Sequence, residues 1–341
     1  MREELEGKTV LVTGGAGSIG SEIVKQLLDY NVGTVIVLSR DEIKHFVMKK
    51  KIDDIRLKTI IGDVRDSRSL ERVFEKYKID LVYNTAAMKH VVVCEDFPVE
   101  CAKTNILGTQ NIVDLALRYN VPKLVNISTD KAACPVNVMG ASKFIAERIV
   151  LNANYTCVRF GNVANSRGSV IPIFIDNLLN KKPISITDPD VTRFIIEIPD
   201  AVKLVMKSTE YAKGGEIFIL KMKAFRLGDL LKVIIERIAP RLGISRDEIN
   251  IETTGLVIGE KIHEDLINNV ELAQLHELDN IYLILKDKNK VLDYNGLKKI
   301  NLPHYSSDKA KLITEDELEK IIINYLQKFH PLYQVKGVKN E

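Results

Sequence analysis

The sequence predicts an α/β fold, a doubly wound parallel sheet with a smaller C-terminal lobe, on three observations. A strand pattern at Thr9–Thr13 runs into Gly14-Gly-Ala-Gly17-Ser18-Ile19-Gly20 and then into the helical spacing Ile23, Val24, Leu27, Leu28. Apolar strand segments then alternate with helical ones, at intervals too short for anything but βα crossovers. The second half keeps alternating but carries no second glycine turn.

Composition narrows the class. With 341 residues, 45% hydrophobic and 28% charged, the chain has the makeup of a soluble globular protein of about two domains. Its 49 basic and 46 acidic residues leave a charge of +3, too even to argue for nucleic acid as a partner. Cys94, Cys101, Cys134 and Cys157 form no C-x-x-C pair, so no metal site is expected and the thiols read as small core residues in a reducing compartment. The start, Met1-Arg-Glu-Glu-Leu-Glu, has no apolar signal core, and no run approaches the ~18 apolar residues of a membrane span. A soluble, cytoplasmic protein is expected.

Taken in order, the first strand and glycine turn read as a phosphate cradle of the Rossmann kind. Gly14, Gly17 and Gly20 let the backbone approach a pyrophosphate, and the helix opening at Ser18 and Ile19 offers unpaired N–H groups and a favourable dipole. The second strand, Thr34–Leu38, ends in Ser39-Arg40-Asp41-Glu42. A carboxylate directly at that end would grip the ribose hydroxyls of NAD, whereas Ser39 and Arg40 suit a 2′-phosphate, so NADP is favoured. The competing reading has Asp41 on the ribose and Arg40 stacked on adenine. Helix-end lysines Lys49, Lys50 and Lys51 read as solvated.

The third strand, Leu57–Ile61, ends in Gly62-Asp63-Val64, placed to touch adenine, and an amphipathic helix with Leu70, Val73 and Phe74 follows. The fourth, Leu81–Ala87, carries small residues Ala86 and Ala87 that permit close approach of the cofactor. After Lys89-His90 comes a predicted long helix from Pro98 to Tyr119 with Asn105. His90 could serve as ligand or base, although a single histidine is more often a hydrogen-bonded spectator.

The stretch Lys123-Leu-Val-Asn-Ile-Ser128-Thr129-Asp130-Lys131 reads as a buried strand breaking out into polar residues, at the end where open α/β sheets keep their chemistry. Asn137 is a predicted N-cap for a helix reaching Ala153, with Met139 and Lys143 on one face. A hydroxyl, a carboxylate and two ammoniums thus converge near one strand end. Taken alone, each would be a polar turn or a solvated lysine.

These motifs together resemble the extended short-chain dehydrogenase/reductase superfamily. Within it, Ser39-Arg-Asp-Glu-x-Lys44, Ala86-Ala87-Met-Lys89-His90, Ser128-Thr-Asp-Lys131, Met139-Gly-Ala-Ser-Lys143, Phe160-Gly-Asn162 and Thr192-Arg193-Phe194 resemble the soluble UDP-N-acetylglucosamine 4,6-dehydratases of polysaccharide biosynthesis, from about Leu5 to Leu266. The resemblance implies a lyase that oxidises C4 of the sugar, eliminates water across C5 and C6, and returns the hydride at C6. It implies Asn162 and Arg193 on the diphosphate, Glu260 on the uridine ribose, Lys89 and Ser128 among the substrate contacts, Lys44 and again Lys89 among the cofactor contacts, and a homo-oligomer, commonly a hexamer.

Two departures matter. The usual catalytic tyrosine, four residues before the lysine, is Met139, which has no proton to exchange. Asp130 is the candidate to accept the C4 hydroxyl proton and to protonate the departing C6 hydroxyl, with Lys131 as base at C5, Thr129 hydrogen-bonding the C4 oxygen and Lys143 orienting the nicotinamide ribose. Lys131 must then be held below its usual pKa, by burial and by Lys143, while Asp130 pulls the other way. The family's Arg-Pro-Gly-Glu-Lys segment is here Val257-Ile-Gly-Glu260-Lys261, which shifts the diphosphate charge onto Arg193 or Lys261.

The predicted division is residues 1–168, an NADP-binding domain, and 169–335, a substrate lobe with a C-terminal extension, the chain being free to cross between them. The lobe is expected to hold helices at Val170–Leu179 and Asp200–Ser208, strands at Ile184–Ile186 and Glu216–Leu220, and helical spacing at Leu227–Ile238 and Glu315–Leu326, with Lys336–Glu341 frayed. The rival functional readings are an epimerase or net dehydrogenase, and an NADP-binding sensor that lost its tyrosine.

Overall fold

The computed structural model describes residues 2–285 and 287–330, so the expected fraying of Lys336–Glu341 lies outside the described residues. The described residues fall into two compact units: 2–160, 199–221 and 266–304 belong to the first, and 161–198, 222–265 and 305–330 to the second.

With strands numbered along the whole chain, unit 1 holds β1 (Thr9–Thr13), β2 (Thr34–Ser39), β3 (Leu57–Ile61), β4 (Leu81–Asn84), β5 (Lys123–Thr129), β6 (Thr156–Phe160), β10 (Glu216–Leu220), β13 (Leu275–Leu278), β14 (Ile281–Leu285) and β15 (Lys298–Lys299). They form one sheet in the order β15-β13-β14-β10-β6-β5-β4-β1-β2-β3. From β10 to β3 every neighbour pair is parallel, and β13, β14 and β15 add an antiparallel edge. β1, β2 and β4 are nearly unbroken apolar runs, as strands covered on both faces require.

The carboxyl ends of β1 and β4 share a buried polar ladder with the middle of β5. Thr13 Oγ1 donates to Asn84 Oδ1 at 2.6 Å, and Asn84 Nδ2 donates to Asn126 Oδ1 at 2.9 Å. Each buried amide is satisfied sideways, which ties the ends of β1 and β4 to β5.

Unit 2 holds β7 (Asn162–Ala164), β8 (Ile184–Ile186), β9 (Thr192–Glu197), β11 (Lys223–Arg226) and β12 (Ile251–Thr253), paired as β11-β9-β7 and β12-β8. Its core packs Ile171, Phe174, Ile175, Ile184, Phe225, Leu230, Ile234, Ile322 and Leu326.

Two expectations change. Glu216–Leu220 and the helix expected over Asp200–Ser208, observed as Ile198–Tyr211, lie in unit 1 from Pro199 onward, not in the smaller lobe. β10 pairs with β6, because a fully buried Ile-Phe-Ile-Leu strand finds cover on both faces only in the large sheet. The helix expected over Pro98–Tyr119 is Pro98–Ala102, a π turn at Lys103–Leu107, and Gly108–Arg118. In that turn Asn105 donates to the Met88 carbonyl and accepts from its N–H, an arrangement of the kind π turns bring to functional sites.

Candidate active site

In unit 1 a cleft of about 230 Å³ opens at the ends of β1 to β4. Gly14, Gly17, Ser39, Arg40, Lys44, Asp63, Val64, Ala86 and Ala87, all expected at the cofactor, line it. Gly14 adopts φ +64°, and a Cβ there would meet Ala86 Cα at 2.8 Å; glycine alone keeps that floor open. Gly20 lies on the helix behind it, where a Cβ would meet the Gly14 carbonyl at 2.6 Å. The helix Ser18–Leu28, with Ser18 and Ile19 in its first turn, begins at Gly17 without a side-chain cap, leaving backbone donors for an anion.

At the other end of the cleft, Asp41 caps the helix Glu42–Lys51 through the Lys44 N–H and pairs with Lys44 Nζ at 2.7 Å. Those contacts hold its carboxyl below the usual range. Arg40 stands 3.8 Å from Asp63, which also pairs with Arg65 at 2.6 Å. Burial pushes the Asp63 carboxyl up, but Arg65 and Arg40 outweigh it and hold it low. Thr104 also lines the cleft, and its buried Oγ1 has no hydrogen-bond partner among the described residues. An open helix terminus, a glycine floor and an unpartnered hydroxyl fit a dinucleotide.

Past the end of β5 the predicted cluster assembles around Asp130, which is buried. Its Oδ1 accepts from Thr129 Oγ1 at 2.7 Å, from the Lys131 N–H at 2.8 Å and from Lys131 Nζ at 3.1 Å. Its Oδ2 is buried with no partner among the described residues. Asn137 caps the helix Val138–Asn152 as expected, accepting from the Gly140 N–H. Met139 is buried against Cys94 and Cys101, and Lys143 donates to the Ile127 carbonyl at 2.6 Å. Burial lowers the Lys143 pKa, with Cys157 and Glu147 pulling it back up.

Ser128 has its hydroxyl turned inward, donating to Glu147 at 2.6 Å. Lys89 and His90 are exposed after β4. In unit 2, Asn162 opens β7, and Arg193 on β9 donates to Glu260 at 2.8 Å and to the carbonyls of Thr192 and Ile262. Lys261 pairs with Asp265 at 3.2 Å.

Sequence reasoning missed several residues here. His45 is buried with Nε2 2.8 Å from the Ser39 hydroxyl, a pairing six residues apart that no helical or strand period announces. Thr104 gave no signal within its helix. Glu147, Arg159 and Glu271 form a buried ionic cluster; a charged residue inside the apolar run Thr156–Phe160 was the legible clue.

Against known proteins, the family described as "Polysaccharide biosynthesis protein" matches residues 10–286. An uncharacterized membrane protein of Methanocaldococcus jannaschii is 44% identical over 330 residues, covering 94% of this chain and 97% of its own length. UDP-N-acetylglucosamine 4,6-dehydratase (inverting) of Campylobacter jejuni is 35% identical, covering 94% of this chain and 99% of its own length. A Rickettsia bellii protein named UDP-glucose 4-epimerase is also 35% identical, over 93% of this chain and 96% of its own length. Among solved structures, Pen from Bacillus thuringiensis superposes with a TM-score of 0.87 at 36% identity, covering 94% of this chain and 98% of that one. Among the described residues no helix is long and apolar enough to cross a membrane.

Proposed function

The chain belongs to the polysaccharide biosynthesis protein family, and from that premise we propose that it is an NADP-dependent 4,6-dehydratase of a UDP-N-acetylhexosamine, UDP-N-acetylglucosamine first. The product is a 4-keto-6-deoxy sugar, with or without inversion at C5, destined for a surface polysaccharide or protein glycan. The observation that carries this is the Asp130 carboxylate: one oxygen holds Thr129 and Lys131 together, and the other is buried and without a partner among the described residues. A buried carboxylate oxygen left without a partner costs stability, and a catalytic role is one reason such a group is kept.

Gly14, Gly17, Ser39 and Arg40 would hold NADP, which when bound would supply the hydride chemistry at C4 and C6 with no net change in the cofactor. Asp130 Oδ2 takes the C4 hydroxyl proton, the role that Met139 cannot fill, and delivers a proton to the leaving C6 hydroxyl. Thr129 steers the C4 oxygen, Lys131 removes the C5 proton and returns a proton there as the hydride arrives at C6, and Lys143, buried beside the end of β5, orients the nicotinamide ribose. Asn162 and Arg193 are proposed on the diphosphate, Glu260 on the uridine ribose, and Lys89 on the substrate. NADP is preferred over NAD because Lys44 already engages Asp41, leaving Arg40 as the group offered at the end of β2. We take the cytoplasm as the compartment, where thiols such as Cys94 and Cys157 stay reduced.

The Rickettsia name favours a second reading, C4 epimerisation, which needs no chemistry at C5 or C6. One experiment separates the two. UDP-N-acetylglucosamine deuterated at C4 is incubated without reductant, and the product is read by NMR. Label at C6 with a 4-ketone supports dehydration, and label retained at an inverted C4 supports the epimerase. Stoichiometric NADPH with an oxidised sugar would identify a net dehydrogenase and remove the roles given to Asp130 and Lys131.

A further inference from the structure

Arg159 on β6 is fully buried, and all five of its N–H donors are engaged. Nε and one terminal nitrogen grip Glu147 at 3.0 and 2.6 Å, and the two terminal nitrogens grip Glu271 at 2.8 and 3.0 Å. The fifth donor goes to the Leu266 carbonyl at 2.9 Å. Two carboxylates on one guanidinium leave a net negative charge, which Arg148 offsets from 3.4 Å on Glu271. A buried ionic group of this size adds little net stability over apolar packing, so its presence asks for another reason.

That reason lies in what the carboxylates hold. Glu147 accepts from the Ser128 hydroxyl at 2.6 Å, immediately before Thr129. Glu271 forms a capping box with Asn268, and Asn268 Nδ2 donates to the Ala133 carbonyl at 3.1 Å, immediately after the tight turn Asp130–Ala132. The cluster therefore grips both ends of the segment that carries Thr129, Asp130 and Lys131. Glu147 is also one helical turn beyond Lys143.

We propose that Arg159 is a positioning residue, clamping residues 128–133 from both sides through Glu147 and Glu271 so that Asp130 and Lys131 are held in working geometry. The kinetic part rests on the dehydratase reading; the clamp itself does not. Ser128 then acts through Glu147 and not on the sugar.

Two variants each cut one tether and spare the ionic core, which Arg159→Met would strand as unpaired buried carboxylates. Ser128→Ala removes the hydroxyl, and Asn268→Ser removes the Nδ2 donor while keeping an N-cap oxygen. Hydrogen–deuterium exchange on the peptide spanning 128–133 of the full chain should quicken in both variants and leave β1 unchanged. With UDP-N-acetylglucosamine, kcat should fall by about ten- to a hundredfold, the penalty of an ångström-scale misplacement, while KM stays the same. Unchanged exchange at 128–133 overturns the clamp. Faster exchange with unchanged kcat, or a loss shared by KM and thermal stability, overturns the positioning role. A wild-type protein that turns over no UDP-sugar sinks the dehydratase reading by itself, and the exchange measurement still decides the clamp.

Discussion

Asp130→Asn isolates the chemistry from the scaffold. The amide keeps an oxygen where Oδ1 accepts from Thr129 Oγ1 at 2.7 Å and from the Lys131 N–H at 2.8 Å, so the turn should hold its shape. Losing the charge weakens the contact to Lys131 Nζ, roughly 1.5–3 kcal/mol at the most. The amide nitrogen that replaces Oδ2, which has no partner among the described residues, is also unpartnered but neutral, so the lower cost of burying it offsets roughly 1–3 kcal/mol. The two nearly cancel, and the thermal midpoint should move by no more than about 3 °C. Catalysis should not be spared: an amide can neither take the C4 hydroxyl proton nor protonate the leaving group, so kcat should fall about 10²- to 10⁴-fold. That corresponds to roughly 3–5 kcal/mol at the transition state, with KM nearly unchanged because the lost transfer occurs only there. The assay is initial-rate product formation by NMR beside calorimetric binding of the cofactor. A variant that keeps kcat to within about threefold, under 1 kcal/mol, shows that Asp130 transfers no proton.

Arg40→Ala should erase most of the preference for NADP, a charge-assisted contact of roughly 1.5–3 kcal/mol, in calorimetry on cofactor-free protein; tighter NAD binding by the wild type would refute the assignment. Arg193→Lys should raise KM for the UDP-sugar more than it lowers kcat, since a diphosphate contact is mostly uniform binding. Lysine is the cleaner replacement because Arg193→Ala would also release Glu260 and two carbonyls. Burial pushes the Glu271 carboxyl up, but Arg159 outweighs it and leaves its pKa below 4.5. Between the folded value and 4.5 the unfolded chain binds the proton and the native state does not, so stability present above 4.5 should drain away as pH falls through that window. Urea unfolding from neutral pH downward should show that loss, and Glu271→Gln should flatten it. Exposed Val92, Val93, Phe97 and Val99 follow one another along neighbouring helices, and light scattering at micromolar concentration should find an oligomer; a monomer rejects that assembly.

The parts of this molecule that local chemistry dictates could be read from the chain. Gly14 must be glycine because its φ is positive and Ala86 sits against it, and a strand, that turn and a helix are contiguous in sequence. Asn137 caps its helix from three residues before Gly140, again a local rule. What escaped is whatever depends on partners far along the chain. Glu216–Leu220 reads as a strand, but nothing within it says that its neighbour is β6, some sixty residues earlier, or that it belongs to unit 1. The inward turn of Ser128 is of the same kind. At a strand end a serine looks ready for substrate, and only the arrival of Glu147 from the following helix shows otherwise. Arg159 carries the point furthest: its two carboxylates lie twelve residues before it and 112 after it, and no spacing rule joins them. An arginine in the middle of a buried strand is nevertheless a local contradiction, since an unpaired charge there would cost several kcal/mol. A sequence that breaks the rule for a core strand signals a long-range partner before that partner can be named, and here the partners lead to both ends of the segment that holds Asp130.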